Sequence, residues 1–200
     1  MEEKNFSGIN VQISAVELAG SPVLRVVKNK EILEEDAATY GKLITTEFQN
    51  GTIEVKVLSR LLPDAPDYAR GFIGVAFRID ETDDSFECLY IRPTNGRAEQ
   101  QLRRNRSTQY FAYPHFKYMH SRESDPGIYE SYCDMQLDEW IDFKITVEGD
   151  VAKLYLHNVA QPALIVNELK YGSDKRGAIG LFVDIGTEGF FKDLKITPAE

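Results

Sequence analysis

Cysteine is scarce in this chain: only Cys88 and Cys133 occur among 200 residues. Two cysteines are too few for a disulfide framework, and they lack metal-ligand spacing, so we expect buried thiols, with a single bridge as the alternative. No segment approaches the roughly 18 apolar residues that span a bilayer. The first ten residues, MEEKNFSGIN, contain neither a basic stretch nor an apolar run. We therefore expect a cytoplasmic protein with no membrane segment.

Positive charge is also in deficit, since 23 Lys and Arg residues face 32 Asp and Glu residues and the formal net charge is -9. A field of this sign repels nucleic acid and anionic lipid, so neither is an expected partner, although a local basic patch could still bind a small anion. No G-x-S-x-G motif, phosphate-binding loop or dinucleotide fingerprint occurs, which argues against those enzyme classes. The spacing of His115 and His120 suits no zinc site, and no metal or cofactor is expected.

What the chain does contain is strand periodicity. Apolar and polar residues alternate over Ile53–Val57, Ile73–Ile79 and Ile141–Val147, as half-buried strands require. Residues 6–28 read as one hairpin, whereas residues 30–50 have no clean period and predict a loop with at most one helical turn. About ten or more short strands without a long helix indicate an all-β, antiparallel two-sheet sandwich. We expect residues 1–200 to form one domain.

The C-terminal third carries more specific elements. Trp140 opens a strand, ITVEGDVAKLYLHN turns at Gly149, and RGAIGLFVDIGTEGFFKDLKIT closes the chain. These elements resemble concanavalin A-like lectin/glucanase jelly rolls, in particular laminin-G-like and 3-keto-disaccharide hydrolase-type domains of bacteria. The resemblance covers roughly residues 70–197, and YIRPTNGRAEQQLRRNRSTQYF looks like a signature of one uncharacterised bacterial branch.

This resemblance implies a jelly roll whose concave sheet faces a carbohydrate. Some jelly rolls of this superfamily hold calcium, for which Asp184 or Asp193 would be the candidate ligands here. The E-x-D-x-x-E motif that carries the acid pair of related glucanases is absent, so their mechanism does not transfer. Fold-level likeness is good support for architecture and weak support for chemistry.

An arginine cluster marks the stretch 86–134, which the surrounding strands should display. Guanidinium groups bind carboxylates bidentately and lie flat against sugar rings. The cluster therefore predicts recognition of sugar hydroxyls or of an acidic sugar. Pairing with Glu99, Glu123 and Asp125 on a solvated loop is an equally good interpretation. The cluster comprises Arg92, Arg97, Arg103, Arg104 and Arg106.

Aromatic residues crowd the same stretch, and sugar C–H faces stack on such rings. We expect Tyr113 and Tyr118 to face a ligand, and Phe111 and Phe116 to anchor the loop to the sandwich. The set comprises Tyr110, Phe111, Tyr113, Phe116, Tyr118, Tyr129 and Tyr132.

Glycoside hydrolysis needs two carboxyl groups roughly 5 to 9.5 Å apart. Glu130 and Asp134 on one extended strand would be roughly 13 Å apart, so that pair fails. Glu87 shares its face with Leu89 and Ile91, which look like core. Glu130 is therefore the candidate acid or base if the protein is an enzyme, and a single ligand-binding carboxylate otherwise.

These observations predict a carbohydrate-active jelly roll that binds a short sugar, glycoside or sugar acid. The alternatives are a glycoside hydrolase using Glu130, a non-catalytic lectin-like module, and a protein-interaction sandwich whose Arg and Tyr residues meet an acidic partner. A deep groove would favour sugar, and a flat surface would favour a protein. The sequence leaves the sugar and the oligomeric state open. The expected ligand-binding residues are Arg78, Tyr90, Arg92, Gln101, Arg103, Tyr113, Tyr118 and Tyr132, with Glu130 as the catalytic candidate.

Overall fold

A computed structural model describes residues 1–199. Fourteen strands form two antiparallel seven-stranded sheets. In chain order the strands are β1 Phe6–Ile9, β2 Val11–Leu18, β3 Ser21–Lys28, β4 Tyr40–Leu43, β5 Gly51–Leu61, β6 Ile73–Ile79, β7 Phe86–Ile91, β8 Thr108–Tyr113, β9 Glu130–Ser131, β10 Ile141–Glu148, β11 Val151–Leu156, β12 Leu164–Val166, β13 Ala178–Val183 and β14 Thr187–Pro198.

One sheet, here sheet A, has the order β1-β4-β13-β6-β7-β8-β9, and the other, sheet B, has the order β12-β11-β10-β5-β14-β3-β2. The helices are short: a 3₁₀ turn at Glu3–Asn5, α1 Pro93–Gly96, α2 Gln101–Arg104 and α3 Tyr118–Ser124. Among residues 1–199, no helix is long and apolar enough to cross a membrane. The predicted antiparallel two-sheet jelly-roll sandwich is confirmed.

The core lies between the sheets and follows the alternation of the sequence. Leu89 and Ile91 of β7 face this core, together with Tyr110 of β8. Tyr90, between them, belongs to a second cluster on the outer face of sheet A, as the strand period requires. The predicted assignment of Tyr90 to the face opposite Leu89 and Ile91 is therefore confirmed.

The outer face of sheet A is filled with aromatic side chains. The chain around Asp36 meets α3 over this cluster, because the Tyr118 amide donates to the Asp36 carboxylate at 2.9 Å. Most of the face is thus closed to ligand, and a pocket remains at one end. The cluster includes Tyr40, Phe86, Tyr90, Phe111 and Phe182.

Two local predictions from the N-terminal region need correction. Residues 11–28 do form the hairpin β2–β3, but β1 belongs to sheet A, where it pairs with β4. Asn10, with φ 53°, lies at the change of sheet. Residues 30–50 contain no helical turn, and instead contribute β4, which pairs with both β1 and β13. Both cysteines are free thiols, and Cys88 is buried whereas Cys133 is partly buried.

Candidate functional site

A pocket of about 210 Å³ lies at the end of sheet A where β6 begins and β7 ends. Residues that precede β6 and follow β7 lie together here, because the two strands form an antiparallel hairpin. Arg70 and Phe72 come from the first segment and Arg92 from the second. Helix α3 adds Tyr118 and Arg122, and the chain between α1 and β8 adds Arg103 and Arg106. Three of the five arginines of the cluster therefore line the pocket with two arginines from outside it, whereas Arg97 and Arg104 lie elsewhere.

Arg92 lines the pocket and is almost fully buried. Its guanidinium donates to the Tyr90 hydroxyl at 2.7 Å and to Gln109 Oε1 at 3.1 Å, and it lies 4.9 Å from the Tyr90 ring centroid. Tyr90 in β7 and Gln109 in β8 thus fix the orientation of the Arg92 guanidinium. An arginine held this rigidly presents a preorganised surface to a ligand.

Glu130, in β9, forms ion pairs with three arginines. Arg122 Nη2 donates to Oε1 at 2.6 Å, Arg92 Nη1 lies 3.3 Å from the same oxygen, and Arg106 Nε lies 3.6 Å from Oε2. Burial lowers the pKa of Arg122, but the hydrogen bond and charge of Glu130 outweigh it and raise that pKa overall. Glu130 is 9% exposed and lies behind the arginines rather than in the pocket lining. In this position it acts as their shared counter-ion.

Three carboxyl groups line the pocket from loops, those of Glu35, Asp36 and Asp184, and the last two residues are in contact. The Asp36 amide donates to Asp184 Oδ2 at 2.9 Å, and Lys28 Nζ donates to Asp184 Oδ1 at 2.6 Å. Burial, followed by the negative charge of Asp184, raises the pKa of Asp36 to about 6. Ile185 N also donates to Asp184 Oδ1 at 2.8 Å. Oδ1 therefore has two protein donors and Oδ2 has one. Calcium binding at Asp184 or Asp193 stays a prediction.

No protein-family model and no curated protein matches the sequence. Solved structures of similar fold do exist. The carbohydrate-binding module CBM66 from Bacillus subtilis has a TM-score of 0.59 at 14% identity, covering 95% of this chain and 93% of that one. A Bacillus subtilis protein of unknown function with a galectin-like fold has a TM-score of 0.55 at 12% identity, covering 96% and 87%.

A third structure, a Parabacteroides distasonis protein described provisionally as a glycosyl hydrolase, has a TM-score of 0.55 at 9% identity, covering 98% and 89%. The chain has the concanavalin A-like jelly-roll fold. At these identities the likeness concerns the fold alone. It confirms the architecture that the C-terminal motifs predicted.

Four of the predicted ligand-binding residues line the pocket of this concanavalin A-like sandwich: Tyr90, Arg92, Arg103 and Tyr118. Three others lie on the surface outside it. Gln101 donates to Asn105 at 2.7 Å, Tyr113 stacks on Phe86 with centroids 5.0 Å apart, and Tyr132 contacts Arg104 at 2.9 Å. The strand period identified Tyr90 and Arg92, whereas the other positions depended on loop conformation.

Arg78 also lies outside the pocket and is 0% exposed. Its guanidinium donates to the carbonyls of Gln49 at 3.0 Å, Gly172 at 2.8 Å and Gly149 at 2.7 Å. With φ 53°, Arg78 interrupts the strand geometry, and β13 shifts register opposite it. All these partners are main-chain groups of the sandwich, so the structure gives Arg78 a structural position instead of the predicted place among the ligand-binding residues.

Sequence reasoning missed Asp36, Tyr68, Arg70, Phe72 and Arg122 as pocket residues. One usable signal was present: Arg70 and Phe72 directly precede β6, and Arg92 directly follows its hairpin partner β7. Residues in those positions share one end of a sheet. Asp36 and Arg122 had no such signal, because their segments show no strand period.

Proposed function

We propose that this protein binds a saccharide, or a small molecule derived from one, in the pocket at the end of sheet A. The observation that carries the proposal is the convergence of aromatic rings and guanidinium groups in one concave site, formed by Tyr68, Phe72, Tyr90, Tyr118 and five arginines. Aromatic rings stack against sugar C–H faces, and guanidinium forks bond to hydroxyl or acidic oxygens. Concave, largely preformed sites are typical of small-molecule ligands.

The pocket volume of about 210 Å³ is smaller than the ~300 Å³ at which drug-sized ligand sites begin. A ligand of one or two sugar rings therefore suits it better than a polymer. A concave pocket of this size also favours a small molecule over a protein partner, which would need a broad, flatter surface. The similar fold of a structure named as a carbohydrate-binding module supports the proposal.

Tyr68 is the aromatic ring best placed to contact a sugar. The rings of Tyr90 and Tyr118 are already covered by guanidinium groups, with Arg92 at 4.9 Å and Arg122 at 4.7 Å from their centroids. Tyr68 is 50% exposed at the rim, and within residues 1–199 its ring stacks on no other aromatic residue. About half of its surface is therefore open to contact with a sugar ring.

Replacement of Tyr68 tests the proposal. Isothermal titration calorimetry with neutral and acidic mono- and disaccharides should detect binding to the wild type, and Tyr68→Ala should weaken it about 5- to 100-fold through loss of ring contact. Tyr132→Ala is the matched control, since Tyr132 is 45% exposed and lies outside the pocket. If no sugar binds, or if both variants weaken binding equally, the proposed site is wrong.

A glycoside hydrolase is the second candidate, favoured by Asp36. A pKa of about 6 suits a general acid near neutral pH, and the group lines the pocket. Product analysis on aryl glycosides would decide between the two. Turnover that Asp36→Asn abolishes would favour hydrolysis, whereas sugar binding without turnover favours the binding protein. Glu130→Gln in the same assay tests the acid or base that the sequence suggested.

A further inference from the structure

We propose that the sugar bound in this pocket carries an oxyanion, a carboxylate or a phosphate, and that Arg70 and Arg103 hold it. This inference rests on the proposed saccharide binding and adds the chemical class of the ligand. Both arginines line the pocket, and both differ from the other arginines of the site in their partners.

The first argument is the balance of charge around the pocket. The cations are Lys28 and five arginines, and the carboxyl groups are Glu35, Asp36, Glu130 and Asp184. Cations are therefore in excess even when every carboxyl is ionised, although the whole chain carries a formal charge of -9. A concave site with a net charge of one sign raises the local concentration of ligands of the opposite sign. This excess is the charge that a bound anion would neutralise.

The second argument is how the arginines are paired. Arg92, Arg106 and Arg122 share Glu130. Arg70 instead donates from Nη1 to the carbonyls of Asp67 at 2.7 Å and Ala69 at 2.8 Å. Within residues 1–199, no carboxylate forms an ion pair with Arg70 or Arg103. Their positive charges are left without a counter-ion.

The third argument is preorganisation. Arg103 donates from Nε to Asn95 Oδ1 at 3.2 Å and from Nη2 to Thr94 Oγ1 at 3.2 Å. These neutral acceptors hold the side chain without cancelling its charge. In the described part of the chain, Nη1 of Arg103 and both Nε and Nη2 of Arg70 have no hydrogen-bond acceptor. Each guanidinium is therefore positioned and still has donors for an oxyanion.

Neighbouring positive charge supports this arrangement. Burial lowers the pKa of Arg70, and the charges of Arg103 and Arg92 lower it further. Like charges brought together without ligand repel each other, and an anion between them removes that repulsion. The pocket should thus bind an acidic sugar more tightly than its neutral counterpart.

The test compares three forms of one sugar ring by isothermal titration calorimetry: glucose, glucuronate and glucose 6-phosphate, with the galactose series alongside. Wild type should bind at least one anionic form about 10- to 100-fold more tightly than the neutral sugar, the range expected for charge-assisted hydrogen bonds. Whichever anion binds more tightly identifies the carboxylate or the phosphate as the source. Raising the salt concentration should reduce that preference.

Variants locate the anion. Arg70→Gln and Arg103→Gln should each remove most of the preference for the anionic form, while binding of the neutral sugar changes less than about 3-fold. Arg103→Lys keeps the positive charge and should therefore retain part of the preference for the anionic sugar. Arg97→Gln is the matched control, because Arg97 is exposed and pairs with Asp134 at 2.8 Å outside the pocket. Thermal unfolding of each variant verifies that it folds.

The outcomes separate this inference from the function on which it rests. Neutral and anionic sugars binding equally to wild type would overturn the inference and leave saccharide binding intact. Inorganic phosphate binding as tightly as the sugar phosphate would also overturn it, since the sugar would then contribute nothing. Absence of binding by every sugar, neutral and anionic, would overturn both.

Discussion

Asp36 is a carboxyl group only 1% exposed, next to the second buried carboxyl of Asp184. The pKa of about 6 means that the folded protein keeps a proton there that the unfolded chain releases near pH 4. Stability therefore falls as pH rises from about 4 to 6, and stays at the lower level above that window. The shift corresponds to about 3 kcal/mol.

Asp36→Asn should remove this pH dependence. The amide oxygen can still accept from the Tyr118 amide, while the charge and its repulsion by Asp184 are lost. In urea unfolding at pH 4.5, 6 and 7.5, the wild type should lose stability relative to the variant as pH rises, by about 2 kcal/mol over this range. Asp174→Asn, at an exposed position, serves as control. A difference that does not change with pH would contradict the assignment.

At the scale of the strands, Arg78 joins three parts of the sandwich. Its carbonyl partners Gln49, Gly149 and Gly172 lie before β5, at the β10–β11 turn and before β13. Gly177 lies against the same strand, where an added Cβ would meet the carbonyl oxygen of Ile79 at 1.9 Å. The end of β6 is therefore tightly enclosed by neighbouring backbone.

Arg78→Lys should destabilise the fold by about 2–4 kcal/mol, because an ammonium cannot reach all three carbonyls and buried acceptors would lose their donor. Chemical denaturation measures the loss. Arg97→Lys, which changes an exposed ion pair with Asp134, should cost less than about 1 kcal/mol. Equal effects of the two substitutions would show that Arg78 does not hold these turns together.

Across the whole molecule, sheet position should govern local stability. β5 lies between β10 and β14 and is bonded on both sides, whereas β2 is an edge strand of the same sheet and pairs only with β3. Amide hydrogen exchange in β5 requires the hydrogen bonds to β10 and β14 to open inside the sheet. One side of β2, by contrast, has no neighbouring strand. The centre of sheet B should therefore be the most protected region of that sheet.

Hydrogen exchange followed by mass spectrometry tests this order. Peptides covering residues 53–58 should exchange more slowly than peptides covering residues 12–17 by at least about tenfold, since local opening at an edge costs less free energy than opening of the core. An anionic sugar bound in the pocket should slow exchange in residues 118–124 and leave residues 12–17 unchanged. Faster exchange in β5 than in β2 would contradict the proposed distribution of stability.

The sequence by itself determined most of the strands and their faces, with β1 and β4 as the exceptions. Alternation is a local property with a period of two, so it placed Leu89 and Ile91 in the core and Tyr90 and Arg92 opposite them. Hairpins such as β6–β7 followed from the short turn between two periodic segments. These features depend on neighbours in the chain, and they were predictable for that reason.

Only the tertiary structure decided what covers the outer face of sheet A and what forms the pocket. Asp36 meets Tyr118 and Asp184 across 82 and 148 positions of the sequence, and β4 exists because β1 and β13 pair with it. Glu130 became the counter-ion of three arginines for the same reason. Such contacts join segments without a period of their own, so local pattern carries no information about which segments will meet.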